Sequence, residues 1–102
     1  MDTISAKELD WYAQDGTFLI VDLRPRQDYA RGHIRGAVNV PYGRFGTQLR
    51  DREKDTIILY CERGALSMAV ARDLERQGYR TISVVGGIHA YRGKNLVRSR
   101  NI

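Results

Sequence analysis

The amino-acid sequence predicts an α/β domain with a central, mainly parallel sheet flanked by helices. Short apolar runs bounded by turn-forming residues, such as residues 18–21 and 56–60, are typical of strands buried on both faces. Segments with helical spacing of apolar residues alternate with these runs, which favours parallel strands joined by helices. The 102 residues are the usual size of one domain. We therefore expect a single domain over residues 1–102, with a core at about 4–93 and a basic tail over 94–102.

From the N-terminus, the pattern predicts a helix, a strand, a second helix and a second strand. A capping box formed by Ser5 and Glu8 opens the first helix, because each side chain can bond a backbone N–H of the other residue. The apolar run at residues 18–21 forms the first strand. A short helix at residues 27–30 and a second strand at residues 37–40 follow.

The second half of the chain continues this alternation. A helix around Phe45 and Leu49 and a charged turn over residues 51–55 come first. The clearest strand spans residues 56–60, because it is continuous, apolar and rich in β-branched side chains. An amphipathic helix over residues 66–74 comes next. The remaining predicted elements are a strand at residues 81–85 and a short helix at residues 89–91.

Charge and cysteine content restrict the classes of function. The net charge of +5 favours anionic ligands. The basic residues are scattered except in the tail, which is interpreted as a frayed, solvated end, and no nucleic-acid-binding motif accompanies them. No apolar run is long enough for a membrane helix and the N-terminus lacks a signal-peptide pattern, so a cytoplasmic protein without nucleic-acid or membrane partners is expected. The single cysteine, Cys61, excludes an internal disulfide and a multi-thiolate metal site.

Cys61 follows the clearest predicted strand and precedes a glycine-containing loop and a helix. A chain that turns from strand to helix over few residues points several backbone N–H groups into the loop, and the helix N-terminus adds its own. Such a cradle stabilises an anion and hence a thiolate at its edge. A buried structural cysteine is the alternative interpretation, but this position favours a reactive one. Gly64 gives the loop its conformational freedom and Arg63 can add a positive charge.

Four motifs in order resemble the rhodanese homology domain found in thiosulfate and other sulfurtransferases. They are Val-Asp-Leu-Arg at residues 21–24, Gly-His-Ile-Arg-Gly-Ala-Val-Asn-Val-Pro at 32–41, Cys-Glu-Arg-Gly-Ala-Leu-Ser at 61–67 and Val-Gly-Gly-Ile at 85–88. The resemblance extends over nearly the whole chain, from about residue 4 to residue 93.

The resemblance implies a rhodanese-like sulfurtransferase that works without a metal ion or an organic cofactor. Cys61 would be the nucleophile that takes a sulfane sulfur from a small anionic donor such as thiosulfate or polysulfide. The resulting persulfide would pass its sulfur to cyanide or to a thiol, including a thiol on a protein. Asp22 and Arg24 would support the catalytic loop. The loop residues expected to bind substrate are Glu62, Arg63, Gly64, Ala65, Leu66 and Ser67.

Two alternatives and one departure from the family pattern accompany this interpretation. A persulfide carrier or a regulatory interaction module would present the same residues. A cysteine phosphatase is disfavoured, because Ser67 stands where that chemistry needs an arginine and the six-residue loop over 61–66 is one residue short. Many members of the rhodanese family have arginine at the position of Leu66, so a side-chain hydrogen-bond donor is missing there.

Overall fold

The protein, represented by a computed structural model that describes residues 1–43 and 56–99, is built on a five-stranded parallel sheet. In chain order its strands are β1 (Asp2–Ser5), β2 (Leu19–Asp22), β4 (Val38–Asn39), β5 (Thr56–Tyr60) and β6 (Arg80–Val85). Their spatial order in the sheet is β1–β6–β5–β2–β4. A second, antiparallel pair is formed by β3 (His33–Ile34) and β7 (Leu96–Val97).

Helices cover both faces of the sheet. They are α1 (Leu9–Gln14), α2 (Arg26–Arg31) and α3 (Ala65–Arg76), with 3-10 turns at Ala6–Glu8 and Ile88–Ala90. On one face, Ile20 and Ile58 belong to a core cluster that includes Leu9 of α1. On the other face, the neighbouring strand residues pack with α3, in a second cluster that contains Leu19, Val21, Leu59, Val70 and Leu74. Adjacent residues of β2 and β5 are therefore buried on opposite faces, which accounts for their continuous apolar sequences.

Buried hydroxyl groups fix α3 against β6. Ser67 and Ser83 share a hydrogen bond between their hydroxyls at 2.8 Å. Two residues earlier on β6, the Thr81 hydroxyl donates to the carbonyl of Ala71 in α3 at 3.0 Å. Because each buried hydroxyl has a partner, the helix gains a defined register on the sheet without an unsatisfied polar group.

The structure confirms the predicted α/β class and the parallel sheet. Predicted strands 18–21, 37–40, 56–60 and 81–85 correspond to β2, β4, β5 and β6 within two residues at each end. The predicted helix around Phe45 and Leu49 and the charged turn at 51–55 lie outside the described residues.

Three expectations need correction. The Ser5–Glu8 capping box forms, but it opens a 3-10 turn before α1, and the edge strand β1 precedes it. The short helix expected at residues 89–91 is a 3-10 turn at Ile88–Ala90. As far as Ser99, the basic tail is bonded to the rest of the domain and is not frayed. In this part β7 pairs with β3, and the N–H of Ser99 donates to the carbonyl of Ala30 at 3.0 Å. A two-residue strand leaves too little periodicity to be detected in sequence.

Among the helices of the described ranges, none combines the length and the apolar character that crossing a membrane requires.

We expect Tyr60→Phe to lower the free energy of unfolding by about 1–3 kcal/mol, the cost of leaving a buried hydrogen-bonding group without a partner. Tyr60 is fully buried, and its hydroxyl accepts a hydrogen bond from the backbone N–H of Ile34 at 3.0 Å. Urea denaturation measures the effect. Tyr42→Phe is the matched control, since Tyr42 is 66% exposed and the change there should stay within about 0.5 kcal/mol. Equal effects of the two substitutions would contradict the prediction.

Candidate active site

Cys61 lies directly beyond the carboxyl end of β5, the middle strand of the sheet. The neighbouring strand β2 is aligned so that Asp22 is opposite Tyr60. The backbone N–H of Leu23 continues this pairing with a bond to the carbonyl of Tyr60 at 3.0 Å. In parallel α/β sheets this edge is where ligands bind, and the topology brings Cys61 and the end of β2 together there.

Two backbone N–H groups point at the Cys61 sulfur. Sγ accepts hydrogen bonds from the N–H of Gly64 at 3.1 Å and from the N–H of Ser67 at 3.4 Å. Gly64 is the residue before α3 and has φ of 105°, a left-handed conformation that side chains disfavour. A Cβ there would also be 3.0 Å from the backbone nitrogen of Gly86. The predicted cradle is thus present around Sγ, and Cys61 is a buried residue.

The turn after β6 holds the other side of the loop. The N–H of Ile88 donates to the carbonyl of Cys61 and the N–H of His89 donates to the carbonyl of Glu62, each at 3.0 Å. This close approach requires Gly87, because a Cβ on that residue would lie 2.5 Å from both carbonyl oxygens. The motif at residues 85–88 therefore acts on the site through its backbone, by fixing the direction of the loop carbonyls.

Ser67 supports the loop from beneath. Its hydroxyl is fully buried and donates to the carbonyl of Gly64 at 3.1 Å while it also bonds the Ser83 hydroxyl. Its N–H, not its hydroxyl, bonds the sulfur. Ser83 is a supporting residue that sequence analysis missed, since a serine in a predicted strand gives no signal of its partner.

Asp22 and Arg24 form a buried ion pair beside the loop. The Arg24 guanidinium donates from Nε and Nη2 to both Asp22 carboxylate oxygens, and it also donates to the carbonyl of Gly32 at 2.5 Å. Its Nη1 lies 3.7 Å from a carboxylate oxygen of Glu62. Burial lowers the pKa of Arg24, but the hydrogen bonds and the charge of Asp22 outweigh that effect and raise it overall. Arg24 is therefore a fixed cation whose charge is already matched.

Tyr60 packs under this pair. The Arg24 guanidinium carbon lies 5.9 Å from the centre of the Tyr60 ring, close enough for a cation–π contact. Burial raises the pKa of Tyr60, and the Asp22 carboxylate raises it further. The phenol hence stays neutral and contributes shape and hydrogen bonding to the site.

A pocket of about 620 Å³ opens above Cys61, and we call it the Cys61 pocket. Its apolar lining consists of Leu23, Pro25, Pro41, Tyr42, Ala65 and Leu66. Its charged lining consists of Arg24, Asp28, Glu62 and Arg63. Of the loop residues expected to contact substrate, Glu62, Arg63, Ala65 and Leu66 line the pocket, whereas Gly64 and Ser67 lie beneath it. Asp22 is fully buried and does not line it.

Several lining residues were outside the predicted site. Leu23, Pro25, Pro41 and Tyr42 come from the segments that follow β2 and β4. Only the sheet topology brings these segments to Cys61. The sequence signal that could have suggested them is their place after predicted strands, since all carboxyl ends of a parallel sheet share one edge.

Comparison with known proteins agrees with this architecture. The family model described as a rhodanese-like domain matches residues 5–94. Among solved structures, a rhodanese-like domain protein from Staphylococcus aureus superposes with a TM-score of 0.85 at 26% identity, covering 98% of this chain and 100% of that one.

Two curated relatives are similar over three quarters of the chain. A tRNA sulfurtransferase from Desulfurococcus amylolyticus is 32% identical over 77 residues, which cover 76% of this chain and 15% of that protein. A putative sulfur carrier protein, YrkF, from Bacillus subtilis is 33% identical over 82 residues, which cover 78% of this chain and 44% of that protein. The chain thus spans less than half the length of these relatives.

We expect Gly87→Ala to reduce the free energy of unfolding by about 2–4 kcal/mol, from left-handed backbone strain together with two weakened hydrogen bonds. The added Cβ would meet the carbonyls of Cys61 and Glu62, so the loop and the turn must separate. Gly16→Ala is the control, because no atom lies within 4 Å of a Cβ at that position. Urea denaturation compares the two, and a Gly87→Ala protein as stable as the control would show that the contact is not a constraint.

Proposed function

Because the chain belongs to the rhodanese-like domain family, we propose that it transfers sulfane sulfur through a persulfide on Cys61. The observation that supports this most directly is the pair of N–H groups bonded to Sγ at the floor of an open pocket. Donors bonded to a sulfur atom stabilise negative charge on it, which is what a nucleophilic thiolate needs. The two relatives, one named a sulfurtransferase and one a putative sulfur carrier, support sulfur transfer in general.

The proposed reaction has two displacement steps. In the first, the Cys61 thiolate attacks the outer sulfur of a donor such as thiosulfate or polysulfide. The bond between the two donor sulfurs breaks, and its electron pair leaves with sulfite or with the shortened polysulfide. In the second, cyanide or a thiolate attacks the outer sulfur of the Cys61 persulfide, and the Cys61 thiolate is regenerated. Covalent catalysis of this kind divides one transfer into two easier displacements.

The surrounding residues have distinct proposed roles. The N–H groups of Gly64 and Ser67 stabilise the negative charge on sulfur in both steps. Arg63 is exposed at the pocket and can attract an anionic donor. Arg24 acts mainly by position, because Asp22 occupies its guanidinium and Glu62 lies beside it. Electrostatic stabilisation by preorganised donors commonly contributes several kcal/mol to such reactions, about 2.7–4 for one donor.

The persulfide is tested by intact-mass measurement after incubation with polysulfide or thiosulfate. The wild-type chain should gain one sulfur atom, which cyanide then removes, and Cys61→Ser should gain none, because Cys61 is the only cysteine. Wild-type protein alkylated with iodoacetamide before incubation is the matched control for sulfur bound elsewhere. Equal labelling of the variant, or no labelling of the wild type by any donor, would exclude the proposed function.

A persulfide carrier is the second candidate, favoured by the relative named a putative sulfur carrier. The two candidates differ in turnover. With donor and cyanide in large excess, an enzyme forms many thiocyanate molecules per chain, whereas a carrier that depends on a partner protein loads once and discharges slowly. Counting thiocyanate per chain after persulfide formation distinguishes them.

A further inference from the structure

The Cys61 pocket is larger and more apolar than a small inorganic anion requires. Its volume of about 620 Å³ is in the range of pockets that hold organic ligands, roughly 300–1,000 Å³. Six of its lining residues are aliphatic or aromatic, and they come from three separate segments of the chain. An anion with a complete hydration shell gains nothing from such walls and loses solvation against them.

Leu66 is the apolar lining residue that directly precedes Ser67, one of the two residues whose N–H groups bond the Cys61 sulfur. It is half-buried, it packs against the core cluster under α3, and it also lines the pocket. It lies between Ala65, another apolar lining residue, and Ser67, whose N–H bonds the Cys61 sulfur. At this position beside the Cys61 sulfur the pocket therefore has the hydrocarbon side chain of Leu66 and not an anion-binding side chain.

The charges that line the pocket do not favour a dianion. Within residues 1–43 and 56–99, the two lining guanidiniums, on Arg24 and Arg63, are equal in number to the two lining carboxylates, on Asp28 and Glu62. Arg24 is in addition paired with the buried Asp22. The net charge of +5 is a property of the whole chain, and the described lining residues of this pocket do not share it. Among the residues that the structure describes, the lining of the pocket therefore offers a doubly charged donor no excess positive charge.

We propose that the pocket selects an organic persulfide, R–S–SH, whose R group is apolar, over thiosulfate. This inference rests on the proposed function and specifies its donor. The Cys61 thiolate attacks the outer sulfur of R–S–SH and forms a new S–S bond. The bond between the two donor sulfurs breaks, its electron pair leaves on R–S⁻, and the proton remains on the persulfide formed at Cys61. The R group lies against Leu66 and the other apolar lining residues.

The wild-type chain provides the first test. Rates of Cys61 loading are measured by rapid-quench intact mass with benzyl hydropersulfide, methyl hydropersulfide and thiosulfate. Each rate is divided by the rate of the same donor with N-acetylcysteine, which removes intrinsic reactivity. We expect the normalised rate for the benzyl donor to exceed that for the methyl donor and that for thiosulfate at least tenfold.

Leu66→Arg provides the second test, because it replaces the apolar wall with an anion-binding group. The ratio of the thiosulfate rate to the benzyl hydropersulfide rate should rise at least tenfold. Leu96→Arg is the matched control: it adds the same charge at a residue that is 53% exposed and does not line the Cys61 pocket. Its ratio should equal that of the wild type. Circular dichroism verifies that each variant is folded, and the wild-type comparison stands by itself if Leu66→Arg is not.

The outcomes separate the inference from the proposed function. Loading that is as fast from thiosulfate as from the benzyl donor, or equal for benzyl and methyl donors, overturns the inference while the Cys61 persulfide remains. An unchanged donor ratio in folded Leu66→Arg overturns it as well. If no donor adds sulfur to Cys61, the proposed function itself is contradicted.

Discussion

Two hydrogen bonds between the turn after β6 and the loop after β5 determine the geometry of the site. They run from the N–H groups of Ile88 and His89 to the carbonyls of Cys61 and Glu62. Since these carbonyls are bonded on that side, the following N–H groups of Gly64 and Ser67 are left to point at Sγ. Gly87 makes the approach possible, because any side chain there would collide with the same two carbonyls. A residue 26 positions after Cys61 thus decides what the cysteine contacts.

The Asp22–Arg24 pair provides a second rigid boundary. Removing one partner of a buried ion pair leaves an uncompensated charge, which costs about 3–5 kcal/mol. Here the pair also connects neighbouring segments: Arg24 donates to the carbonyl of Gly32, and the Asn39 side chain donates to the carbonyls of Asp22 and Arg24. The Asn39 side chain thus joins the ends of β2 and β4 through the backbone of the segment that carries the pair. The Arg24 guanidinium is directed at the carboxylates of Asp22 and Glu62.

Much of the fold and the centre of the site could be predicted from local patterns, and the remainder depends on pairing between distant segments. The continuous apolar pattern of residues 18–21 and 56–60 predicts two buried strands. Cys61, Gly64 and Ser67 fall within seven consecutive residues, so their proximity follows from sequence. By contrast, β3 and β7 have two residues each, and the paired residues Ile34 and Leu96 are 62 positions apart, so their pairing has no local signal. The pocket wall from Pro41 and Tyr42 likewise requires the sheet order, which places β4 beside β2.

The separation of charge within the molecule links the fold to selectivity. The pairing of β3 with β7 carries basic residues of the tail to a face beside α2, where Arg31 and Arg98 line a depression distinct from the Cys61 pocket. Charge spread over a surface acts at long range and raises the rate at which anions reach the molecule, whereas close contacts decide which of them stays. The described residues that line the Cys61 pocket are mainly hydrocarbon, and their charges are balanced. Under the proposed selectivity for an organic persulfide, charge raises the rate at which donors arrive, and apolar contact at the Cys61 pocket decides which of them is held.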